Sequence, residues 1–546
     1  MVQSGPAVHS SGPPRWLVEL VLLGAILAVT IALFQGLDGP YALDCDDTNL
    51  AMAITRFDIV HYQPHPPGYL GYVAVLRLAH AVTGLNPVLV TRLVSRAFAV
   101  LAILLIWRTS LRLRPLDRST ALWAAALVAA NPILLYYGVD AQTHSAETAM
   151  SALLLWTLVD TNHRHTRWGL VGIGLILAAG GSLRPSFALI AVGPVLWTFR
   201  KDARALALVG LVSTAGTAAW LLPTLALTQG GLATYRAATD TLMGNFVRMV
   251  SPLSTSAIPR FAHDNLMSGI VWSGIALGPA LGALLVAWRS WREVFASWPV
   301  KLLALMAIPS VLFYCFVYCA EAGYLSGLVP PAALVAATIL LPAVSLTVPG
   351  QSWRAWRRAG LVVALVTGEL AIFLFAPNGQ GLLTMMPTTS EITARESRMA
   401  GLYRHLETGL APSAQILVVT DWPEPTALRQ LPLLRPKSEV LQVPWQLRPH
   451  FQPVYAITLA TDHDWTGLFP IPGQSSDFLR HRTTAQRYDW ILIDPRTSDR
   501  VRDELRAHSR CAIPRYDEEA QARLRPDCFP GQVMEIGDFT FAFGRS

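Results

Sequence analysis

The chain has 546 residues, of which 52% are hydrophobic and 14% are charged, and its mean hydropathy is +0.39. Soluble domains carry about 25% charged residues, so the composition excludes a soluble multidomain protein and predicts a polytopic membrane protein. The net charge of +7 arises mostly from basic residues at loop ends. No basic run with interleaved aromatic residues is present, so nucleic acid is not an expected partner.

Eleven apolar segments have the length of a membrane span or nearly so. Residues 16–35 form the first, which is expected to remain as an uncleaved helix because no small-residue cleavage site ends it. The others lie at about 90–107, 119–138, 146–160, 168–182, 184–199, 205–228, 266–288, 301–320, 324–346 and 359–376. The two short spans that flank Arg184-Pro185 would also fit a hairpin of half-depth helices, which leaves the count open by one or two.

Loops rich in arginine and lysine alternate with loops that contain few of them. Because cytoplasmic loops carry the excess positive charge, this pattern predicts a multi-pass protein of the cell membrane with a cytoplasmic N-terminus. The loop at residues 38–82, the stretch 229–265 and the tail after 376 are then extracytoplasmic. Within the first of these, residues 69–82 are apolar but short, which favours a helix along the outer interface over a short tilted span.

The tail at residues 377–546 holds 20 of the 36 acidic residues, which predicts a soluble extracytoplasmic domain after a membrane domain at 1–376. Its short β-rich runs at 416–420, 454–460, 490–494 and 539–544, with helical segments such as 395–408, favour a small α/β fold. Cys511 and Cys528 lie in this tail and are expected to pair in an oxidising compartment. Cys315 and Cys319 lie in a predicted span, where they are expected to pack as small apolar groups.

The first external loop carries three aspartates, Asp44, Asp46 and Asp47, and a proline-stiffened His65-Pro66-Pro67 follows them. Isolated acids in a loop are usually only solvated, but polar groups near a membrane are costly and often functional. Further polar residues that the topology brings to the same face are Tyr137, Asp140, His144, Glu147, Arg184, Glu321 and Tyr324. Each of these alone also fits an ordinary interfacial residue, whereas together they predict a polar site at the outer membrane face.

The order of these motifs resembles the GT-C glycosyltransferases, which include protein O-mannosyltransferases and lipid A aminoarabinose transferases. Members have an acidic motif in the first external loop, then an interfacial helix opened by a segment like residues 65–69, then a basic cytoplasmic loop. A span that ends like residues 131–137 and a later Arg-Pro like Arg184-Pro185 complete the likeness, which covers roughly residues 16–345. The chain departs from the family in its late external turn, where relatives place His or Arg before the tyrosine and this chain has Glu321-Ala322-Gly323-Tyr324.

The resemblance implies inverting transfer of a sugar from a polyprenyl-phosphate donor to an acceptor hydroxyl of a lipid, glycan or protein on the extracytoplasmic face. Such transfer needs a carboxylate base and donors for the leaving phosphate. Asp46 is the first choice for the base and Asp44 the second, with Asp47 as the third acid of the motif. His65, Arg184 and Arg56 are the candidates for the donor phosphate. Asp44 and Asp46 also form a D-x-D pattern, which leaves Mg²⁺ or Mn²⁺ open as a cofactor.

A membrane transporter or lipid flippase is the alternative function, since charged residues then line a path instead of performing transfer. Its sequence signature would be internal repeats with paired discontinuous helices, and none is evident in the sequence. A non-catalytic scaffold that presents the tail would not require polar residues gathered from four separate loops. Transfer at the membrane surface is therefore the favoured interpretation.

Overall fold

The computed structural model describes residues 15–59, 63–115, 117–164, 166–228, 230–319, 321–341, 352–377 and 387–407, and then eight strand segments. The described helices, in chain order, are α1 (Arg15–Gly36), α2 (Cys45–Thr55), α3 (Leu70–Thr83), α4 (Pro87–Leu113), α5 (Arg118–Ala130), α6 (Pro132–Tyr137), α7 (His144–Arg164), α8 (Arg167–Leu183), α9 (Phe187–Thr198), α10 (Ala203–Leu227), α11 (Gly231–Val250), α12 (Pro259–Val286), α13 (Trp291–Ala296), α14 (Trp298–Phe316), α15 (Val329–Leu340), α16 (Ser352–Phe375) and α17 (Thr389–Glu407). A 3-10 segment, Ala322–Leu328, leads directly into α15.

Within the described residues, six helices are long and apolar enough to cross a membrane: α1, α4, α10, α12, α14 and the combined segment Ala322–Leu340. Shorter apolar helices occupy four more of the predicted spans, at α5, α8, α9 and the later part of α16. The remaining predicted span corresponds to α7, which begins with polar residues that are buried inside the bundle. The chain is thus a mainly helical membrane protein, and the predicted count of eleven spans is not confirmed.

The core of the bundle lies where α4 packs on α7 and where α12 packs on α15. Small residues on one face of α12, including Gly269, Ser273 and Ala276, allow its neighbours to approach closely. A Cβ atom at Gly269 would lie 2.8 Å from the Cα atom of Cys315 on α14. Such small-residue contacts are typical of helix packing in membranes, where lipid is as apolar as the protein core. Cys315 and Cys319 are both buried and not disulfide-bonded.

The predicted outer loop folds into two short helices. Asp44 precedes α2 in extended conformation and accepts a hydrogen bond from the Asp46 amide, which satisfies one free donor at the helix start. Arg77 of α3 donates hydrogen bonds to the carbonyl oxygens of Ala53 and Ile54, so α3 supports the C-terminal end of α2. The predicted helix at 69–82 is confirmed as a helix, with Tyr72, Val73 and Leu76 buried on one side. Its place at the membrane interface remains a prediction.

Helix α17 returns to the membrane bundle before the strands begin. Thr389 and Ser390 at its start donate hydrogen bonds to the carbonyl oxygens of Leu374 and Ala376, both at 3.0 Å. Arg395, five residues after Ser390, reaches the loop that carries the aspartates. The beginning of the predicted tail domain is therefore packed against the acidic loop.

The strands after α17 are β1 (Ile416–Thr420), β2 (Ser438–Gln442), β3 (Thr458–Leu459), β4 (Thr483–Thr484), β5 (Trp490–Ile493), β6 (Ala522–Leu524), β7 (Gln532–Ile536) and β8 (Phe539–Phe543). One sheet has the order β3-β2-β1-β5-β6, in which β1 pairs in parallel with β2 and β5, and a second has the order β4-β8-β7. The predicted runs at 416–420, 490–494 and 539–544 correspond to strands, and within the run at 454–460 the described residues, Thr458–Leu459, are a strand. The α/β domain itself stays a prediction, and Cys511 and Cys528 lie outside the described residues.

Candidate active site

The three aspartates of the acidic motif occupy three different environments. Asp44 uses one carboxylate oxygen to cap α2, at 2.9 Å from the Asp46 amide nitrogen. Its other oxygen accepts a hydrogen bond of 3.3 Å from Nη1 of Arg395 on α17. Both oxygens of Asp44 are therefore engaged, and only 14% of its side chain is exposed.

Asp47, in the first turn of α2, is fully buried. One of its carboxylate oxygens accepts a hydrogen bond of 3.0 Å from the Thr91 hydroxyl, and the other accepts one of 3.3 Å from the backbone N–H of Leu43. Burial raises the pKa of the Asp47 carboxyl to about 6, although the nearby Arg92 cation and these hydrogen bonds act in the opposite direction. Asp47 thus ties α2 to α4 and has no surface available for a substrate.

Asp46 is the most accessible of the three aspartates, with 32% of its side chain exposed. Its Oδ1 atom lies 3.1 Å from Nδ1 of His65. The other ring nitrogen of His65, Nε2, lies 3.0 Å from the Tyr69 hydroxyl. Gly68, with φ at +103°, closes the turn that brings His65 back to Tyr69. The result is a carboxylate, an imidazole and a phenol in close contact, with the carboxylate partly exposed.

Tyr69 holds an uncommon backbone conformation, with φ at +41°. For a bulky residue this left-handed conformation costs about 1–3 kcal/mol, and such strain is concentrated at functional sites. Burial raises the pKa of the Tyr69 phenol, and the charges of Arg184, Asp46 and Glu321 all act on it. Tyr69 therefore contacts His65 of the aspartate loop and lies within electrostatic reach of Arg184.

Arg184 is the buried cation of the site, placed where α8 ends. Its Nε atom lies 3.1 Å from the Glu147 carboxylate and donates to the Ser186 hydroxyl, while Nη1 donates to the Thr143 hydroxyl at 2.7 Å. The guanidinium carbon lies 4.6 Å from the centre of the Tyr324 ring. Among the residues that the structure describes, none accepts a hydrogen bond from Nη2. This rigid guanidinium keeps donor capacity for an anion.

Glu321 is the centre of a second polar network. Its carboxylate accepts hydrogen bonds from Tyr137 at 3.0 Å and from Gln142 at 3.1 Å, and it lies 2.8 Å from Nε2 of His144. Burial alone raises the pKa of Glu321, but His144, Arg184 and the hydrogen bond from Tyr137 outweigh it and lower the pKa well below its ordinary range. Glu321 is therefore a carboxylate that fixes its neighbours.

Asp140 lies fully buried in the turn between α6 and α7, within electrostatic reach of Asp44 and Arg395. Burial and the negative charge of Asp44 raise its pKa well above the ordinary range, against the effect of Arg395. Its Oδ1 atom has no hydrogen-bond partner among the described residues. Burial and the neighbouring Asp44 thus both disfavour the charged form of the Asp140 carboxyl.

The structure gathers most of the residues that the sequence selected, but not all of them. Arg56 ends α2, ten residues after Asp46, which places it about 15 Å away along the helix. It pairs there with Asp58 at 2.9 Å. Sequence reasoning missed Tyr69 and Arg395. The His-Pro-Pro-Gly-Tyr turn was the available signal for Tyr69, whereas no local pattern marks Arg395.

The donor set around Asp44 and Asp46 does not fit a divalent cation. Asp44 would have to leave both Arg395 and the start of α2 to bind one, and Asp46 faces an imidazole. In the described ranges, no group of three or more His, Cys, Asp or Glu residues is arranged to hold a metal ion.

Comparisons with known proteins give structural likenesses only. No protein-family model matches the chain, and no curated protein matches it. Among solved structures, the chain is similar to ArnT from Cupriavidus metallidurans in the apo state, with 13% identity, a TM-score of 0.48, and coverage of 79% of this chain and 87% of that one. It is also similar to the Archaeoglobus fulgidus oligosaccharyltransferase in the apo form, with 15% identity, a TM-score of 0.44, and coverage of 78% and 65%.

The same oligosaccharyltransferase tethered to an acceptor peptide matches with a TM-score of 0.43. These neighbours are GT-C glycosyltransferases, the class that the sequence motifs resemble. With TM-scores below 0.5, these likenesses assign neither a substrate nor a residue role to this chain.

Proposed function

We propose that this protein is an inverting membrane glycosyltransferase, which moves a sugar from a polyprenyl-phosphate donor to an acceptor hydroxyl on the extracytoplasmic face. The observation that carries the proposal is that a partly exposed carboxylate, Asp46, and a buried cation, Arg184, both lie within electrostatic reach of the same phenol, Tyr69. Glycosyl transfer requires these two functions, a base for the acceptor and a cation for the leaving phosphate.

Asp46 is the proposed base. The acceptor hydroxyl gives its proton to Asp46 while its oxygen forms a bond to the anomeric carbon, from the face opposite the phosphate. His65 orients the carboxylate, because its Nδ1 atom lies 3.1 Å from Oδ1 and its Nε2 atom is fixed by Tyr69. His65 is thus assigned to the base, in place of the donor-phosphate role that its motif suggested. A correctly oriented general base contributes about 10²–10⁴-fold to a rate.

Arg184 is the proposed partner of the leaving group. As the bond between the anomeric carbon and the phosphate oxygen breaks, the electron pair stays with the phosphate and its negative charge grows. The guanidinium is held by Glu147, Thr143 and the Tyr324 ring, so it does not need to reorganise during the reaction. Its Nη2 donor is directed by these contacts and supplies the hydrogen bond to the phosphate.

The other candidate site residues are less well placed to act on the reacting atoms. Asp44 is engaged at both oxygens, Asp47 is fully buried, and Arg56 lies at the far end of α2. Tyr137 and His144 hold Glu321, and these three line the side of the site next to Tyr324. We assign Glu321, which is 12% exposed, to binding of the donor sugar or acceptor, and the buried Tyr137 and His144 to holding its carboxylate.

The proposed topology places this site outside the cell membrane, with the N-terminus in the cytoplasm and the tail domain outside. The argument is the charge asymmetry of the loops. In that orientation α2, α3, Arg184 and Glu321 share one face, which is the face where a lipid-linked sugar meets an external acceptor. A polytopic bundle with its polar residues gathered at one end suits surface transfer better than a path across the membrane.

The experiment compares purified wild type with Asp46→Asn in transfer of radiolabelled sugar from a panel of polyprenyl-phosphate monosaccharides, with cell-envelope membranes as acceptor. Asp264→Asn is the matched control, because that aspartate also lies beside a histidine, His263, and its side chain is 35% exposed. We expect Asp46→Asn to reduce the rate at least about 100-fold with an unchanged melting temperature, and Asp264→Asn to retain it.

Two results would contradict the proposal. Transfer by folded Asp46→Asn at the rate of the control would remove Asp46 as the base. If no donor of the panel binds to or reacts with the wild type, the glycosyltransferase assignment fails and a transporter or flippase becomes the leading function.

A further inference from the structure

Helix α17 has an unexpected position for the first helix of a predicted tail domain. It lies against the acidic loop that carries the proposed base: Arg395 contacts the loop directly, and Glu396 contacts it through Arg92 of α4. The contacts join residues more than 300 positions apart in the chain. This places a residue of the tail two hydrogen bonds away from Asp46.

The first contact links Arg395 to Asp46 through two successive hydrogen bonds that share Asp44. Nη1 of Arg395 donates to Asp44 Oδ2 and to the carbonyl oxygen of Leu43, both at 3.3 Å. Nε is held at 2.8 Å by Glu391, one turn earlier on α17. The other oxygen of Asp44 binds the Asp46 amide nitrogen. Arg395 therefore fixes the carboxylate that fixes the backbone of Asp46.

The second contact is made by Glu396. Its carboxylate lies 2.7 Å from Nη2 of Arg92, a buried arginine that also pairs with Asp38 and donates to the carbonyl oxygens of Gly39 and Tyr41. Arg92 thus organises the chain that enters the acidic loop. Because α17 is tied to the end of α16 at its start, these two contacts hold the loop against a fixed part of the bundle.

Arg395 also lies in an environment that suits a permanent cation. Only 7% of the residue is exposed, and the acidic groups Asp44, Asp140 and Glu391 surround it. The buried Tyr136 hydroxyl and Asp140 Oδ1 lie within electrostatic reach of the guanidinium and have no hydrogen-bond partner among the described residues. Removal of the guanidinium would leave the largely buried Asp44 carboxylate without its cationic partner.

We propose that Arg395 is a positioning residue for Asp46, acting through Asp44 and the start of α2. The segment that joins the membrane bundle to the tail thereby fixes the orientation of the base. The inference rests on the proposed function for its consequence in catalysis. A shift of about 1 Å in a catalytic group is enough to reduce a rate about 100-fold. Loss of this contact is therefore expected to act on the chemical step more than on donor binding.

The test uses the full-length protein with Arg395→Gln, Arg395→Lys and the exposed control Arg260→Gln, whose pair with Asp264 lies far from α2 in the chain. Two quantities are measured, the kcat and donor KM for sugar transfer, and amide hydrogen exchange in peptides from α2, α4 and α12. We expect Arg395→Gln to lower kcat about 10–100-fold with KM within about twofold. Exchange at the start of α2 should rise about tenfold or more, with α4 and α12 unchanged.

Arg395→Lys keeps the charge near Asp44 and should recover most of the lost kcat, although one ammonium cannot reach both Asp44 and Glu391. In the Asp44→Asn background, Arg395→Gln should cause less than about a twofold further loss, because the two residues act in series. Arg260→Gln should behave as wild type.

The inference is overturned if Arg395→Gln leaves both kcat and α2 exchange unchanged. It is equally overturned if exchange rises throughout the bundle, since Arg395 would then support the fold in general. Failure of the proposed function is separate: a wild type without any transfer activity contradicts the glycosyltransferase assignment. In that case the α2 exchange data alone decide whether Arg395 holds α2.

Discussion

Replacement of Asp47 by asparagine tests whether this buried aspartate affects the pH dependence of stability and not the transfer reaction. The Asp47 carboxyl is fully buried, and burial raises its pKa from the ordinary 3.8 to about 6 despite the Arg92 cation. The folded state therefore binds this proton more tightly than the unfolded state does. Stability from this group is fully present below pH 3.8, falls as pH rises toward about 6, and stays low above it.

The magnitude follows from the two pKa values. A rise from 3.8 to about 6 corresponds to about 3 kcal/mol of lost stability at neutral pH, of which roughly 2 kcal/mol is lost between pH 4 and pH 7. Asparagine has no such titration and retains an acceptor for the Thr91 hydroxyl. The difference in free energy of unfolding between wild type and Asp47→Asn should therefore change by roughly 2 kcal/mol across this pH range, in favour of the variant at higher pH.

The assay is denaturant unfolding of the purified protein in detergent at several pH values, with Asp264→Asn as the control for an exposed aspartate. Sugar transfer by Asp47→Asn should stay within about tenfold of wild type, in contrast to Asp46→Asn, because Asp47 offers no surface to a substrate. Parallel pH profiles for wild type and variant would refute the argument, since they would mean that the carboxyl titrates equally in both states.

The remaining predictions concern His65 and Gly39. His65→Gln loses the group that faces Asp46 and should lower kcat about 10–100-fold. In His65→Asn the amide nitrogen replaces Nδ1, so kcat should fall less than about tenfold. A rise in donor KM with unchanged kcat would instead assign His65 to the donor phosphate. Gly39→Ala would place a Cβ atom 2.1–2.2 Å from the Glu396 carboxylate and should reduce stability by about 1–2 kcal/mol in thermal or denaturant unfolding. Gly36→Ala, with open space around it, is the control, and equal stability of the two variants would contradict the α17 contact.

The class of the protein and many of its elements can be read from local sequence. Apolar runs long enough to span a bilayer predict helices because lipid leaves backbone groups no other partners. Six helices of this kind, the amphipathic helix α3 and several of the later strands lie where composition and periodicity predict them. The exact number of spans could not be predicted from local sequence, because α7 begins with buried polar residues. Those residues are stabilised there only by partners from other parts of the chain.

The division of roles among Asp44, Asp46 and Asp47 was decided by the tertiary structure alone. Successive residues of a helix start point about 100° apart, so three aspartates within four positions face three different neighbours. One neighbour is His65 in the same loop, another is Thr91 on α4, and the third is Arg395, far along the chain. The sequence supplied the carboxylates, and only the packing of distant helices around α2 determined which one is accessible, which one is buried and which one is bound to an arginine.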